Sequence, residues 1–239
     1  MGAARVFLVC CVAGVLARSA GAQSFSVVYD FLGQPGNQVS VAPRTVTVPS
    51  ELSVSDLVRG PGLSVASGNG SFAASGFSTG AWNGADWFGF TVAPTPGWTF
   101  SLADLSFSER RSASGIRRWS VRTSLDGFLA DVGGGTVPDD TSTRHQWTDL
   151  GAVARAVATP VEVRIYGWEA ESGAGTWRLG TSAATGENPL NLLPELRLNG
   201  TLATAGTSAP EPSSLALLAT GWCAWKMRRR AHARGRETS

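Results

Sequence analysis

Cysteine is nearly missing from the chain, and what there is lies near the ends: Cys10 and Cys11 in an N-terminal apolar run, Cys223 in a C-terminal one. The stretch between them can build neither a disulfide framework nor a thiolate metal site. Lysine is missing from the same stretch, since the only lysine is Lys226. From Gln23 to Pro212 twelve arginines face seventeen carboxylates, so this part is mildly acidic although the whole chain carries +2. That balance argues against nucleic acid as a partner, because its binders turn a basic face toward the phosphates. Histidine is scarce as well, with His145 the only one ahead of the tail. A histidine-rich zinc site is excluded by count, and no G-x-S-x-G element accompanies His145 for a Ser-His-Asp arrangement. Beside Gln146 and Trp147 it reads as a strand-edge or surface residue, and no cofactor is expected.

A helical period is lacking too. Short β-branched and aromatic runs recur instead, separated by turn residues: Phe25 to Phe31, Thr45 to Val48, Ala85 to Val92, Trp98 to Leu105, Arg117 to Thr123, Gln146 to Leu150, Val161 to Trp168, Thr176 to Leu179 and Glu195 to Leu202. In Val161-Glu162-Val163-Arg164-Ile165-Tyr166 apolar and polar positions alternate, as in a half-buried antiparallel strand. The alternation through Phe100, Leu102, Leu105 and Phe107 slips near Ala103-Asp104, which predicts a β-bulge. The loops expected from composition are 67–71, 131–135 and 170–175. The fold class is therefore all-β, an antiparallel sandwich of jelly-roll type, and roughly 190 residues bury enough surface to hold it without disulfides.

Two acidic clusters and seven tryptophans are the candidates for function in this body. Glu169 and Glu171 would share a face if a strand continued there, as a glycosidase pair requires, but Ser172-Gly173-Ala174-Gly175 follows at once and a solvated loop is the better reading. Asp139-Asp140 offers calcium-type oxygens, with a turn the simpler account. The tryptophans are Trp82, Trp87, Trp98, Trp119, Trp147, Trp168 and Trp177. They either fill the core or lie on an exposed sheet as a stacking platform for polysaccharide. Trp119 falls on the apolar side with Val121, whereas Trp168 shares the Glu162, Arg164, Tyr166 face. Trp82, Trp87 and Trp168 are the candidate platform.

The two ends carry an address. At the start, Arg5, the eleven-residue apolar run Val6 to Leu16 and the small residues up to Ala20-Gly21-Ala22 make a secretory signal. Ala20 and Ala22 give the A-x-A cleavage pattern before Gln23, and the run is short of the roughly 17–25 residues of a spanning helix. At the other end Pro210-Glu211-Pro212 precedes an apolar run, Leu215 to Trp225, and then Lys226, Arg228, Arg229 and Arg230. The prolines hold Glu211 in an extended strip that a protease can bind as a strand, and the basic cluster would stop transfer.

This tail resembles the PEP-CTERM sorting signal of exported bacterial proteins. The remainder looks like the β-sandwich passengers found ahead of that signal, especially at Leu105-Ser106-Phe107-Ser108-Glu109-Arg110-Arg111-Ser112, Val121 to Gly127, Val163 to Gly167 and Glu195 to Thr201. The resemblance implies an exosortase-type membrane protease acting at Pro210-Glu211-Pro212 after passage through the secretion translocon. It also implies a transient membrane anchor over about 213–227 and a final place at the cell surface or in the extracellular matrix. Against it, the apolar run is short for a bilayer and is interrupted by Thr220-Gly221; an ordinary single-pass anchor is the alternative. The expected organisation is a signal peptide (1–22), a β-sandwich passenger (23–205) and a sorting signal (206–239). The passenger is expected to be non-enzymatic, structural or adhesive, with a carbohydrate-binding module as the alternative and a glycosidase third.

Overall fold

The structure, a computed structural model, describes residues 21–181 and 193–206. The expected signal helix with Ala20 lies outside these residues. So does the tail with Pro210, Glu211, Pro212, Lys226, Arg228, Arg229, Arg230 and the 213–227 segment. Among the described residues no helix is long and apolar enough to cross a membrane.

Among the described residues, fifteen strands and one short 3-10 turn, Ser124–Asp126, build the body that runs from Ala22 to Gly206. In chain order they are β1 (Gln23–Asp30), β2 (Pro35–Gly36), β3 (Arg44–Thr47), β4 (Leu52–Val54), β5 (Val58–Arg59), β6 (Ser64–Ala66), β7 (Ser71–Ser75) and β8 (Trp87–Pro94). There follow β9 (Trp98–Arg111), β10 (Arg118–Thr123), β11 (Gly133–Thr136), β12 (Arg144–Asp149), β13 (Val161–Trp168), β14 (Trp177–Gly180) and β15 (Glu195–Thr204).

Four antiparallel pairs are nested inside one another: β10 with β11, β9 with β12, β8 with β13 and β7 with β14. Successive pairs alternate between two sheets, and this is the winding of a jelly roll. The smaller sheet runs β11-β10-β13-β8-β4, with β5 also on β8. The larger is extended beyond β9 by β15, β1 and β3. The expected bulge is there: Asp104 pairs with Asn199 and Leu102 with Gly200, leaving Ala103 as the extra residue.

Between the sheets the inward positions of each strand form one core. Val161, Val163 and Ile165 of β13 join Phe88, Phe90 and Val92 of β8 on one side; Leu102, Leu105 and Phe107 of β9 join Leu196 and Leu198 of β15 on the other. Large aromatics knit the two layers, as where Trp119 meets Phe107 edge to face at 5.3 Å. Burying such a side chain stabilises by about 1.5–3 kcal/mol each.

Two segments expected as loops are partly strands. β11 begins inside 131–135, where three successive glycines gave no strand pattern, and continues to Thr136; β7 opens on Ser71, the last residue of the 67–71 segment.

Candidate functional site

The even positions of β13, Glu162, Arg164, Tyr166 and Trp168, alternate with Val161, Val163 and Ile165, which join the core, and so point to the opposite face. Cross-strand register completes this outer face. Arg164 stands opposite Arg122, Tyr166 opposite Ser120 and Trp168 opposite Arg118 on β10; Tyr166 stands opposite Trp87 on β8.

Two arginines placed directly opposite would repel. Here each is held by a carboxylate and by aromatic rings. Arg164 grips Glu162 with two hydrogen bonds of 2.7 and 3.0 Å. Its guanidinium lies between the rings of Trp87, at 4.2 Å, and Phe128, at 3.9 Å. Burial works against its charge, but the bonds to Glu162 and Tyr166 outweigh it and hold its pKa above the ordinary value. Arg122 donates to Asp131 at 2.6 Å and to the Phe128 carbonyl at 3.0 Å. It stacks 4.1 Å from Trp82 and also faces Tyr166. Such cation–π contacts contribute about 0.5–2 kcal/mol each.

Trp82 reaches this face from the loop before β8. The buried carboxylate of Asp86 shapes that loop by accepting from the Ser78 backbone N–H at 2.8 Å and the Ser78 hydroxyl at 2.6 Å. Asn83 closes it with an Asx turn, its Oδ1 accepting from the Ala85 N–H. The Trp82 ring lies over Tyr166 with centroids 5.2 Å apart and keeps 37% of its surface exposed, while Tyr166 beneath it is buried.

The structure thus brings Trp82, Trp87 and Trp168 to one face of the smaller sheet, in unequal surroundings. Trp87 is 9% exposed, covered by Arg164 and by the backbone at Gly60. Trp168 is half-buried at the end of β13, beside Arg118, whose Nε donates to Glu169 at 3.2 Å. Trp119 and Trp177 are core, whereas Trp147 is 59% exposed on β12 of the other sheet, opposite Ser106. Arg122, Arg164, Tyr166 and Phe128 complete the cluster although the sequence did not single them out as site residues. For the first three, the outward half of each strand's alternation was the available signal; Phe128, after a turn, offered none.

The other candidates are engaged in holding the chain. Glu171 accepts from the fully buried Arg111 at 2.7 Å and from Arg117 at 3.1 Å, and these two bonds hold its carboxyl below the usual range. Asp139 joins the same arginines. Asp140 is a turn residue: the Ser142 N–H, and then Arg144, hold its carboxyl at about 2. His145 is exposed on β12. No group of three or more potential metal ligands gathers among the described residues.

No family model and no curated protein matches the chain. Among solved structures, it is similar to a carbohydrate-binding module of family 29, at 11% identity and a TM-score of 0.35 over 74% of this chain and 89% of that one. It is also similar to the K1 adhesin domain of Lys-gingipain from Porphyromonas gingivalis W83, at 11% identity and a TM-score of 0.28 over 76% and 99%. A third is the N-terminal cellulose-binding domain of Cellulomonas fimi β-1,4-glucanase C, at 11% identity and a TM-score of 0.26 over 66% and 91%. Likeness at this level says nothing about ligand or site, for which the geometry of the smaller sheet is the basis.

Proposed function

We propose that this chain is an exported, non-enzymatic β-sandwich that binds polysaccharide on the outer face of its smaller sheet and is sorted through its C-terminal tail to the cell surface or extracellular matrix. The observation that carries the binding reading is Trp82, an indole with 37% of its surface exposed, propped on a buried Tyr166 and a stacked Arg122. A pyranose has an apolar C–H face and a rim of hydroxyls. A rigid aromatic surface flanked by fixed donors and acceptors complements both, and the Arg122–Asp131 and Arg164–Glu162 pairs supply them. Support for a non-enzymatic role comes from the acids: Glu171 and Glu169 each spend a carboxylate oxygen on arginine, so neither is poised as an acid–base pair.

The test is affinity electrophoresis of the full chain through gels containing soluble glucan, mannan or xylan, run beside Trp82→Ala. Retardation of the wild type by at least one polymer, weakened about tenfold or more in the variant, is the expected result. Equal mobility of both proteins in every gel would defeat the reading. The sorting part rests on Pro210-Glu211-Pro212, the apolar run after it and the basic cluster. A transient anchor followed by cleavage would leave the sandwich outside the membrane that the translocon crosses.

A further inference from the structure

Beside the Trp82 platform, at the free edge of the smaller sheet, lies a depression of about 360 Å³ lined by Arg118, Trp119, Asp131, Trp168 and the bare backbone from Gly133 to Thr136. Strand β11 pairs with β10 on one side and with no described strand on the other. Resting on the polysaccharide-binding reading above, we propose that this depression is a second sugar subsite, and that it takes an uncharged unit of the same chain that lies on Trp82.

Four observations converge on it. Trp168 forms an aromatic wall, in the cross-strand row that runs Trp168, Arg118, Thr136. The indole N–H of Trp119, a lining residue, is buried with no hydrogen-bond partner among the described residues. Buried polar groups are otherwise almost always paired, so this orphan donor at the sheet edge marks a place where a ligand hydroxyl would be welcome. The glycines keep that place open: a Cβ on Gly135 would stand 3.2 Å from the Trp119 Nε1. Finally, the charges cancel. Arg118 is paired with Glu169 and Asp131 with Arg122, which leaves no net charge to hold an ionic ligand.

An added peptide strand is the competing occupant of an open edge. It fits less well, because three successive glycines offer no side chains for cross-strand pairing. Continuity with the first platform is set by the strand itself: Trp168 and Tyr166, on which Trp82 rests, are two residues apart on β13, about 7 Å.

Calorimetric titration of the full chain with di- and hexasaccharides of β-1,4-glucan, mannan, xylan and polygalacturonate tests this. A neutral hexasaccharide should bind, with Trp168→Ala and Arg118→Gln each raising its Kd about tenfold while leaving the disaccharide unchanged. Trp82→Ala should weaken both lengths, and Trp168→Phe should restore most of the loss. Gly135→Ala, whose added methyl crowds the Trp119 N–H without removing a ring, should weaken the hexasaccharide alone. Thermal unfolding of each variant at wild-type temperature certifies the fold. If Trp168→Ala and Gly135→Ala bind the hexasaccharide like the wild type while Trp82→Ala does not, the subsite is wrong and the proposed function stands. Tighter binding of polygalacturonate than of any neutral chain would overturn the uncharged ligand. Binding of no saccharide at either length removes the proposed function and the subsite with it.

Discussion

Glu109 sits on the inward side of β9 with none of its surface exposed. Its carboxyl accepts from the Trp177 indole N–H at 2.8 Å and from the Gln146 amide at 3.3 Å, with Arg144 3.7 Å away. Burial pushes its pKa up, and the hydrogen bonds and Arg144 only partly oppose that. A carboxyl raised in the folded state contributes stability that is fully present below its unfolded value of 4.5 and is lost as pH rises through the folded value. Glu109→Gln keeps an acceptor for Trp177 and removes the buried charge. It should therefore unfold at higher urea than the wild type near neutral pH, and its advantage should shrink as the pH is lowered toward about 5. Urea titrations at several pH values would show this; a variant less stable than wild type at every pH would mean that the charge itself holds Trp177 and Arg144 in place. The inward course of Glu109 was legible in the two-residue step from Leu105 through Phe107. Its partners were not, because they come from β12 and β14, dozens of residues away, and no local pattern encodes which strands will lie beside β9.

Strand β11 makes the same point for elements. Composition pointed to a loop across Gly133-Gly134-Gly135, yet these residues form the outermost strand of the smaller sheet, paired with Trp119, Ser120 and Val121. Close approach is the physical reason. At this end β11 passes next to β12 of the other sheet, and a Cβ on Gly133 would stand 2.3 Å from the Thr148 methyl and 2.6 Å from its hydroxyl. By strand propensity alone Gly133→Val should stabilise. By packing it should cost about 1–3 kcal/mol, and packing decides because Thr148 is itself buried. Urea unfolding should show a lower midpoint with unchanged slope, and a raised midpoint would show that the sheet edges part freely there. The strands with regular alternation were readable almost to the residue: β13 spans Val161–Trp168, the range expected for it. Strands such as β2 and β5, each two residues long, lie below any periodicity. For the candidate site the sequence supplied the tryptophans but not the arginines stacked on them, since the register that sets Arg122 opposite Arg164 exists only once the sheet is assembled.

At the scale of the whole molecule, charge and position divide the chain more sharply than composition does. The acidic stretch from Gln23 to Pro212 carries all the described strands, and the cationic block of Lys226, Arg228, Arg229 and Arg230 follows the apolar run. That order suits a sandwich delivered outside with its basic end held on the cytoplasmic side. It also separates two fates by mass. In wild-type cells the protein recovered from the medium should have lost residues 1–22 and the segment beyond Pro210-Glu211-Pro212, whereas Glu211→Ala should stay in the membrane with its tail intact. The substitution leaves both prolines in place, so the carboxylate is the one thing removed. Intact mass of membrane and medium fractions decides between them. A tail retained in both proteins would make this an ordinary single-pass anchor, and the proposed polysaccharide face would then act at the membrane to which the sandwich stays tethered.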